Sequence, residues 1–364
     1  MDADGYPGYP IGTYVIQEIK APEGYLLSME KKVAKIKDDG KDSVHVSTYN
    51  QKTSSTEVIV KGGVKIAKMD NDLDEAYAQG DATLEGAEFT IYNKSEKSIT
   101  IGGKEIAKDA AAMVIKTNAE GIAETAADAL PYGTYLVKET KPSTGYLLNT
   151  EWSKTFQIRE NGKIIDLTED KVREAVERGG VQIVKRDKEL QKSEALGGAS
   201  LKDIVFTIKN ASSHDVVVRK DIGNTTDKVD WKKLESKKEL FDSGTIKRVK
   251  PGEDVGKIIT HWNEEKKAYT AETLADDLPY GTYTIRESKT NNSYQRTDKT
   301  EHRFEIRKDG TLISGTDYLA DTGGNTGGAD NANPEKTDVG ENLIFDNYVY
   351  RSDMQGNKIG DGDS

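Results

Sequence analysis

The stretch Leu130-Pro-Tyr-Gly-Thr-Tyr-Leu-Val-Lys-Glu139 decides how the chain is read, because it occurs three times. Its counterparts are Tyr9-Pro-Ile-Gly-Thr-Tyr-Val-Ile-Gln-Glu18 and Leu278-Pro-Tyr-Gly-Thr-Tyr-Thr-Ile-Arg-Glu287. In each copy the Gly of Gly-Thr-Tyr stands six residues before the Glu. A Pro–Gly break followed by aromatic and β-branched residues predicts a turn and then a strand. Side chains alternate across a strand, so Tyr135, Val137 and Glu139 share one face. The other copies place Tyr14, Ile16 and Glu18, and Tyr283, Ile285 and Glu287, in the same way. A carboxylate is therefore expected on a core face in every copy.

Further repeats flank this one, and internal repetition sets the domain plan. Gly62-Gly-Val-Lys-Ile-Ala-Lys-Met-Asp70 matches Gly179-Gly-Val-Gln-Ile-Val-Lys-Arg-Asp187. Glu88-Phe-Thr-Ile-Tyr-Asn93 matches Val205-Phe-Thr-Ile-Lys-Asn210, and Thr155-Phe-Gln-Ile-Arg-Glu160 matches Arg303-Phe-Glu-Ile-Arg-Lys308. These matches predict one complete unit at 62–178 and a second at 179–350. Residues 1–61 read as the back half of a unit, and 351–364 as linker or the start of a further unit near Lys358. The chain is expected to be part of a longer tandem array.

The second unit is the longer one. Lys68 to Glu139 spans 71 residues and Lys185 to Glu287 spans 102, so about 31 are inserted, most of them around 220–250. Within the insertion, 226–240 carries helical spacing. So does 169–178, where Val172, Ala175 and Val176 follow an Asp166/Glu169 capping pattern and Gly179 would stop the helix. Turn signals at Asp39-Gly40, Asn161-Gly162 and Asp309-Gly310 mark hairpins elsewhere, and the Gly/Asn/Asp-rich stretch 321–337 reads as a loop. The expected fold is all-β: tandem antiparallel β-sandwiches with short helices only at these two places.

Composition excludes several functions. The 52 basic and 63 acidic residues give a net charge of −11, which argues against nucleic acid or anionic lipid as a partner. Cysteine is absent, so there is no disulfide, thiolate metal site or Cys nucleophile. No apolar run reaches the roughly 18 residues of a membrane span, and no signal peptide pattern follows Met1. His45, His214, His261 and His302 are scattered without metal-ligand spacing and read as surface residues. Asp70-Asn-Asp-Leu-Asp74 resembles the start of a calcium loop, but Glu75 stands where the turn needs Gly. No metal and no cofactor are expected. Leu130-Pro-Tyr-Gly-Thr134 has Gly and Thr in the wrong order for a sortase signal.

What remains is an unusual set of inward-facing polar groups. Val64, Ile66 and Lys68 share a face, as do Val181, Ile183 and Lys185. Leu343, Phe345 and Asn347 do the same near the end of the second unit, and Val44, Val46, Thr48 and Asn50 in the first segment. An unpaired buried charge costs several kcal/mol, so a Lys and a Glu that both face a core are expected to meet. One outcome is a buried salt bridge with a hydrogen-bonded Asn. The other is chemical: burial favours the neutral forms of amine and carboxyl alike, and a neutral amine beside a proton-shuttling carboxyl can attack an amide. That reaction leaves a Lys–Asn isopeptide bond and releases ammonia.

Gly12-Thr-Tyr-Val-Ile-Gln-Glu-Ile-Lys-Ala-Pro-Glu-Gly-Tyr25 closely resembles the E-box of SpaA-like and Cna B-type domains. These are the prealbumin-like, isopeptide-forming sandwiches of Gram-positive pilins and wall-anchored adhesins. Gly133 to Tyr146 is a second good match; Gly281 to Tyr294 lacks the Pro and Gly but keeps the Glu and the final Tyr. The resemblance implies a bond from a first-strand Lys to a last-strand Asn or Asp, catalysed by the E-box Glu. It assigns Lys185, Asn347 and Glu287 to the last unit, with Asp346 facing the other way. The middle unit has Lys68 and Glu139 but no Asn acceptor; Glu174 lies nearest that place, where pairing is expected rather than condensation. The first segment has Glu18 and Asn50 without a Lys strand before them, and is expected to be unstable alone or to take a strand from another molecule.

The resemblance further implies an extracellular stalk, cell-wall anchored in the full-length protein and partnered by its own neighbouring domains. Such a protein is not an enzyme: each domain crosslinks itself once. The alternative is an adhesin module whose insertion and 321–337 loop bind a host matrix protein or glycan.

Overall fold

The computed structural model describes residues 9–37, 56–223, 229–296, 301–314 and 343–349, with only short strand backbone at 351–352 and 358–359. In the first segment, β1 (Gly12–Gln17), β2 (Tyr25–Leu26), β3 (Lys31–Ile36) and β4 (Val58–Ile59) form two antiparallel pairs, β1 with β3 and β2 with β4. The expected inward face of β1 is not covered by the described residues: Tyr14 is half-buried and Ile16 is 41% exposed. Asn50 and the expected strand 44–50 lie outside the described residues.

The middle unit is a sandwich. Its strands are β5 (Lys61–Asp70), β6 (Glu88–Asn93), β7 (Ile99–Ile101), β8 (Lys104–Ile106), β9 (Ala111–Lys116), β10 (Ile122–Glu124), β11 (Leu130–Pro131), β12 (Gly133–Lys141), β13 (Ser153–Ile158), β14 (Ile164–Asp166) and β15 (Val172–Glu174). One sheet is ordered β13-β12-β6-β9. The other is built on β5, with β10 and β11 antiparallel along one edge and β14 and β15 parallel along the other. Val64, Ile66, Phe89, Ile91, Tyr135, Val137 and Phe156 fill the space between them.

The repeated motifs now have physical reasons. The tyrosine of each Gly-Thr-Tyr hydrogen-bonds back to the carbonyl four residues earlier: Tyr14 to Pro10, Tyr135 to Pro131 and Tyr283 to Pro279, at 2.7–2.8 Å. That bond fixes the turn before the strand. A Cβ on Gly63 would lie 2.6 Å from the Ala126 carbonyl oxygen, and one on Gly180 would lie 2.3 Å from that of Leu274. Each Gly pair lets a neighbouring loop close onto the first strand.

The last unit repeats the plan. Its elements are β16 (Arg178–Asp187), β17 (Val205–Asn210), β18 (Val216–Arg219), α1 (Lys238–Asp242), β19 (Ile246–Val249), β20 (Asp254–Ile259), β21 (His261–Asn263), β22 (Ala268–Glu272), β23 (Leu278–Pro279), β24 (Gly281–Lys289), β25 (Tyr294–Gln295), β26 (His302–Ile306), β27 (Leu312–Ser314) and β28 (Ile344–Val349). One sheet is ordered β20-β17-β24-β26; in the other, β22 and β23 flank β16 on one edge and β27 and β28 run parallel to it on the other. Beyond it, β29 (Arg351–Ser352) pairs with β30 (Lys358–Ile359).

Both expected helices are corrected. Residues 172–174 form β15, which pairs in parallel with β5 as Val172 with Lys68 and Glu174 with Asp70. The open edge of β5 supplies backbone partners that an isolated turn of helix lacks, and Val172 and Glu174 both point inward. Asp166 accepts from the Thr168 N–H and hydroxyl, closing a turn instead of capping a helix.

In the insertion, only Lys238–Asp242 is helical among the described residues. The Asp230 carboxylate takes the N–H groups of Lys232 and Lys233, and the buried Lys237 ammonium donates to the carbonyls of Asp230 and Lys233. These side-chain bonds hold a turn where helical spacing pointed to α-helix.

The insertion extends the β18–β19 hairpin, whose middle-unit counterpart β7–β8 turns on Gly102-Gly103. It folds onto the middle unit. Leu73 packs with Val217, Val229, Trp231 and Ile246 in one small core. Arg178 is buried there, donating to Asp72 at 2.7 Å and to the Val217 carbonyl, with its guanidinium 3.4 Å from the centre of the Trp231 ring. Gln79, Gly80 and Asp81 bond to Val217, Asp215 and Thr282. The chain passes from β15 to β16 with no flexible linker.

Candidate functional site

In the last unit the three predicted residues meet. Strand alternation turns Lys185 of β16 and Asn347 of β28 into the core from one sheet, and Glu287 of β24 reaches them from the other. All three are buried. The Lys185 Nζ lies 3.1 Å from Glu287 Oε2 and donates to the Phe345 carbonyl at 3.1 Å. Asn347 Nδ2 donates to Glu287 Oε1 at 2.8 Å. One carboxylate therefore touches both the Lys185 and the Asn347 side-chain nitrogens. The rings of Phe206 and of the half-buried His302 each meet the Phe345 ring edge-to-face. Asp346 faces outward and pairs with Arg186.

The middle unit brings Lys68 and Glu139 together more loosely, with Nζ 3.8 Å from Glu139 Oε1. The close partner of Lys68 is Glu174, whose Oε2 contacts Nζ directly. Ser143 Oγ accepts from the same Nζ at 2.5 Å, and the Tyr146 ring lies 4.8 Å away. Burial pushes the Glu174 carboxyl well above its ordinary range; the Lys68 charge opposes this, and neighbouring Glu139 adds to it. Glu139 Oε2 accepts the Asn149 N–H at 2.7 Å, and the Asn149 side chain donates to the Arg173 carbonyl, fastening the E-box loop to β15.

Glu18 in the first segment is half-buried and accepts the Ser28 N–H ten residues on, as Glu139 does with Asn149. The local fold of the E-box is thus the same there, while Asn50 lies outside the described residues.

Two residue types essential to the clusters went unread in the sequence. The final E-box tyrosine closes over the Lys in the middle unit, and its hydroxyl donates to the Asp two residues beyond the Lys in both. Tyr146 bonds Asp70 and Tyr294 bonds Asp187, each at 2.7 Å. Burial, and then the Asp72 charge, lift Asp70 to about 7, against hydrogen bonds from the Leu73 N–H, Tyr146 and Gln79. The recurrence of Lys-x-Asp with the last Tyr was the available signal. Of the histidines, His261 is exposed as expected, His302 is half-buried, and His214 is half-buried at the junction, against the Gly80 carbonyl; His45 lies outside the described residues. Among the described residues no cluster of three His, Asp or Glu could hold a metal ion, and no helix is long and apolar enough to cross a membrane.

A family model for the SpaA prealbumin-like fold domain matches residues 5–52, 62–171 and 186–318. Among solved structures, the chain is similar to the TIE protein of Bacillus anthracis, at 27% identity over 84% of this chain and 41% of that one, TM-score 0.44. A streptococcal ancillary pilin matches at 17% identity over 84% and 74% of the two chains, TM-score 0.27. The shaft pilin SpaA of Lactobacillus rhamnosus GG matches at 15% over 70% and 97%, TM-score 0.24. The chain spans about two-fifths of the Bacillus protein's length. A search of curated proteins found no match. With three family-model segments covering most of its length, two of them on complete sandwiches, the chain belongs to the SpaA prealbumin-like fold family.

Proposed function

We propose that this chain is a stalk region of a Gram-positive cell-surface protein, extracellular and wall-anchored in its full-length form, whose last domain locks itself with a Lys185–Asn347 isopeptide bond. The observation that carries this reading is the Glu287 carboxylate held against both Lys185 Nζ and Asn347 Nδ2 in a buried pocket. The neutral Lys185 amine attacks Asn347 Cγ. Glu287 hydrogen-bonds the amide, collects the proton shed by Nζ and delivers it to the leaving nitrogen, which departs as ammonia. Fixed geometry replaces a bimolecular encounter, and the reaction runs once per domain.

The consequence is mechanical. Strands β16 and β28 are parallel neighbours at the two ends of the domain, so tension enters at one and leaves at the other. A bond between them carries the load past everything between residues 185 and 347. Closing that loop also stabilises the domain by about 5 kcal/mol if loop entropy acts as it does for disulfides. The insertion's apolar side chains are committed to the junction with the middle unit, which favours a spacer over an adhesive loop.

Single-molecule pulling on the full chain tests the reading. The wild-type last domain should release almost no length, whereas Lys185→Ala should release roughly 550 Å, at about 3.4 Å per freed residue. Equal extension of both proteins would remove the stalk-locking role.

A further inference from the structure

We propose that the middle domain also crosslinks itself, between Lys68 and Glu174, with water as the leaving group in place of ammonia. This deepens the reading above, on which it rests, and it departs from an Asn or Asp acceptor.

Register identifies the acceptor. Asn347 pairs with Asp187, two residues beyond Lys185, and Glu174 pairs with Asp70, two residues beyond Lys68. Both acceptor strands run parallel to the first strand, so Glu174 occupies the position of Asn347 in a chain segment with no sequence likeness to β28. The extra methylene of Glu brings its carboxyl into contact with Nζ. The Glu174 carboxyl faces the Lys68 amine and the neighbouring Glu139 carboxyl, and no backbone N–H or hydroxyl holds either of its oxygens.

Charge bookkeeping favours condensation over a lasting ion pair. Lys68, Glu139 and Glu174 have fully buried side chains, and two carboxylates against one ammonium would leave a net negative charge withdrawn from water. One carboxyl must therefore carry a proton. The resulting set of ammonium, carboxylate and carboxylic acid is one internal proton transfer away from amine and two carboxylic acids. The Lys68 amine then attacks Glu174 Cδ while protonated Glu139 hydrogen-bonds the carbonyl oxygen. Glu139 accepts the Nζ proton and returns one to the departing hydroxyl, so an amide and one water form and Glu139 ends protonated, as it began. The product replaces a buried ion pair by a neutral amide, and the fixed contact between amine and carboxyl gives the step a high effective concentration.

Peptide mapping of the purified full chain decides the matter. The expected result is a branched peptide joining the Lys68 and Glu174 segments, about 18 Da below their sum, as condensation with water loss requires. Glu139→Ala should free this pair and leave the Lys185–Asn347 peptide linked. Glu174→Gln should yield, through ammonia loss, a crosslinked chain of the same mass as the crosslinked wild type. Linear Lys68 peptides beside a linked Lys185–Asn347 peptide would make Glu174 an ion-pair partner only and overturn the proposal alone. Both pairs linear would overturn the proposal and the stalk-locking reading together. The wild-type map needs no variant to fold.

Discussion

At the residue scale, period-two alternation carries charged side chains into a core. Lys185, Glu287 and Asn347 were legible because a strand pattern fixes which side a residue faces, and an inward charge needs a partner. Tyr146 and Tyr294 were not, because the carboxylates they meet, on Asp70 and Asp187, lie 76 and 107 residues away along the chain and no local pattern reports so distant a contact. Their removal should be costly: Tyr294→Phe strips the hydrogen bond from buried Asp187 and should lower domain stability by about 1–3 kcal/mol in denaturant titration. Asp70 predicts a pH dependence. Its folded value of about 7 lies above the ordinary 3.8, so between these values the folded chain holds a proton that the unfolded chain has lost. Stability of the middle domain should therefore fall as pH rises from about 4 to 7. Asp70→Asn should flatten that slope in melting curves across the same range; an unchanged slope would assign it to other groups.

At the element scale, the strands anchored by repeats were readable and the two expected helices were not. The edge of β5 captured 172–174, and within the insertion the Asp230 and Lys237 side chains hold a local turn that leaves helix only at Lys238–Asp242 among the described residues. A weak local preference loses to backbone pairing on a preformed edge. The glycine pair on the first strand is the converse case, a local signal whose reason is tertiary. Gly180→Ala would push a methyl into the Leu274 carbonyl and should cost about 1–3 kcal/mol, whereas Gly198→Ala, which faces open space, should change stability by under about 0.5 kcal/mol. Thermal melts of the two variants separate these cases.

At the scale of the whole molecule, the division into repeats was legible but the junction was not. Trp231 comes from an insertion that has no counterpart in the repeat, and Arg178 stands where the middle unit has the exposed Lys61, so nothing in the pattern paired them. In the fold they join two domains through a buried guanidinium between Asp72 and an indole ring. Arg178→Ala leaves the buried Asp72 carboxylate without its guanidinium partner and should weaken the junction by about 3–5 kcal/mol. The expected readout is two separate unfolding transitions in place of a coupled one; an unaltered profile would mean that the junction carries no coupling.

Peptide mass analysis of the denatured full chain and of its Glu287→Ala variant separates a reactive Lys185, Glu287 and Asn347 set from a static polar cluster. A reactive set gives a Lys185–Asn347 branched peptide lighter by about 17 Da than its parts, one ammonia, and unlinked peptides in the variant. Linear Lys185 and Asn347 peptides from folded wild-type protein would contradict it.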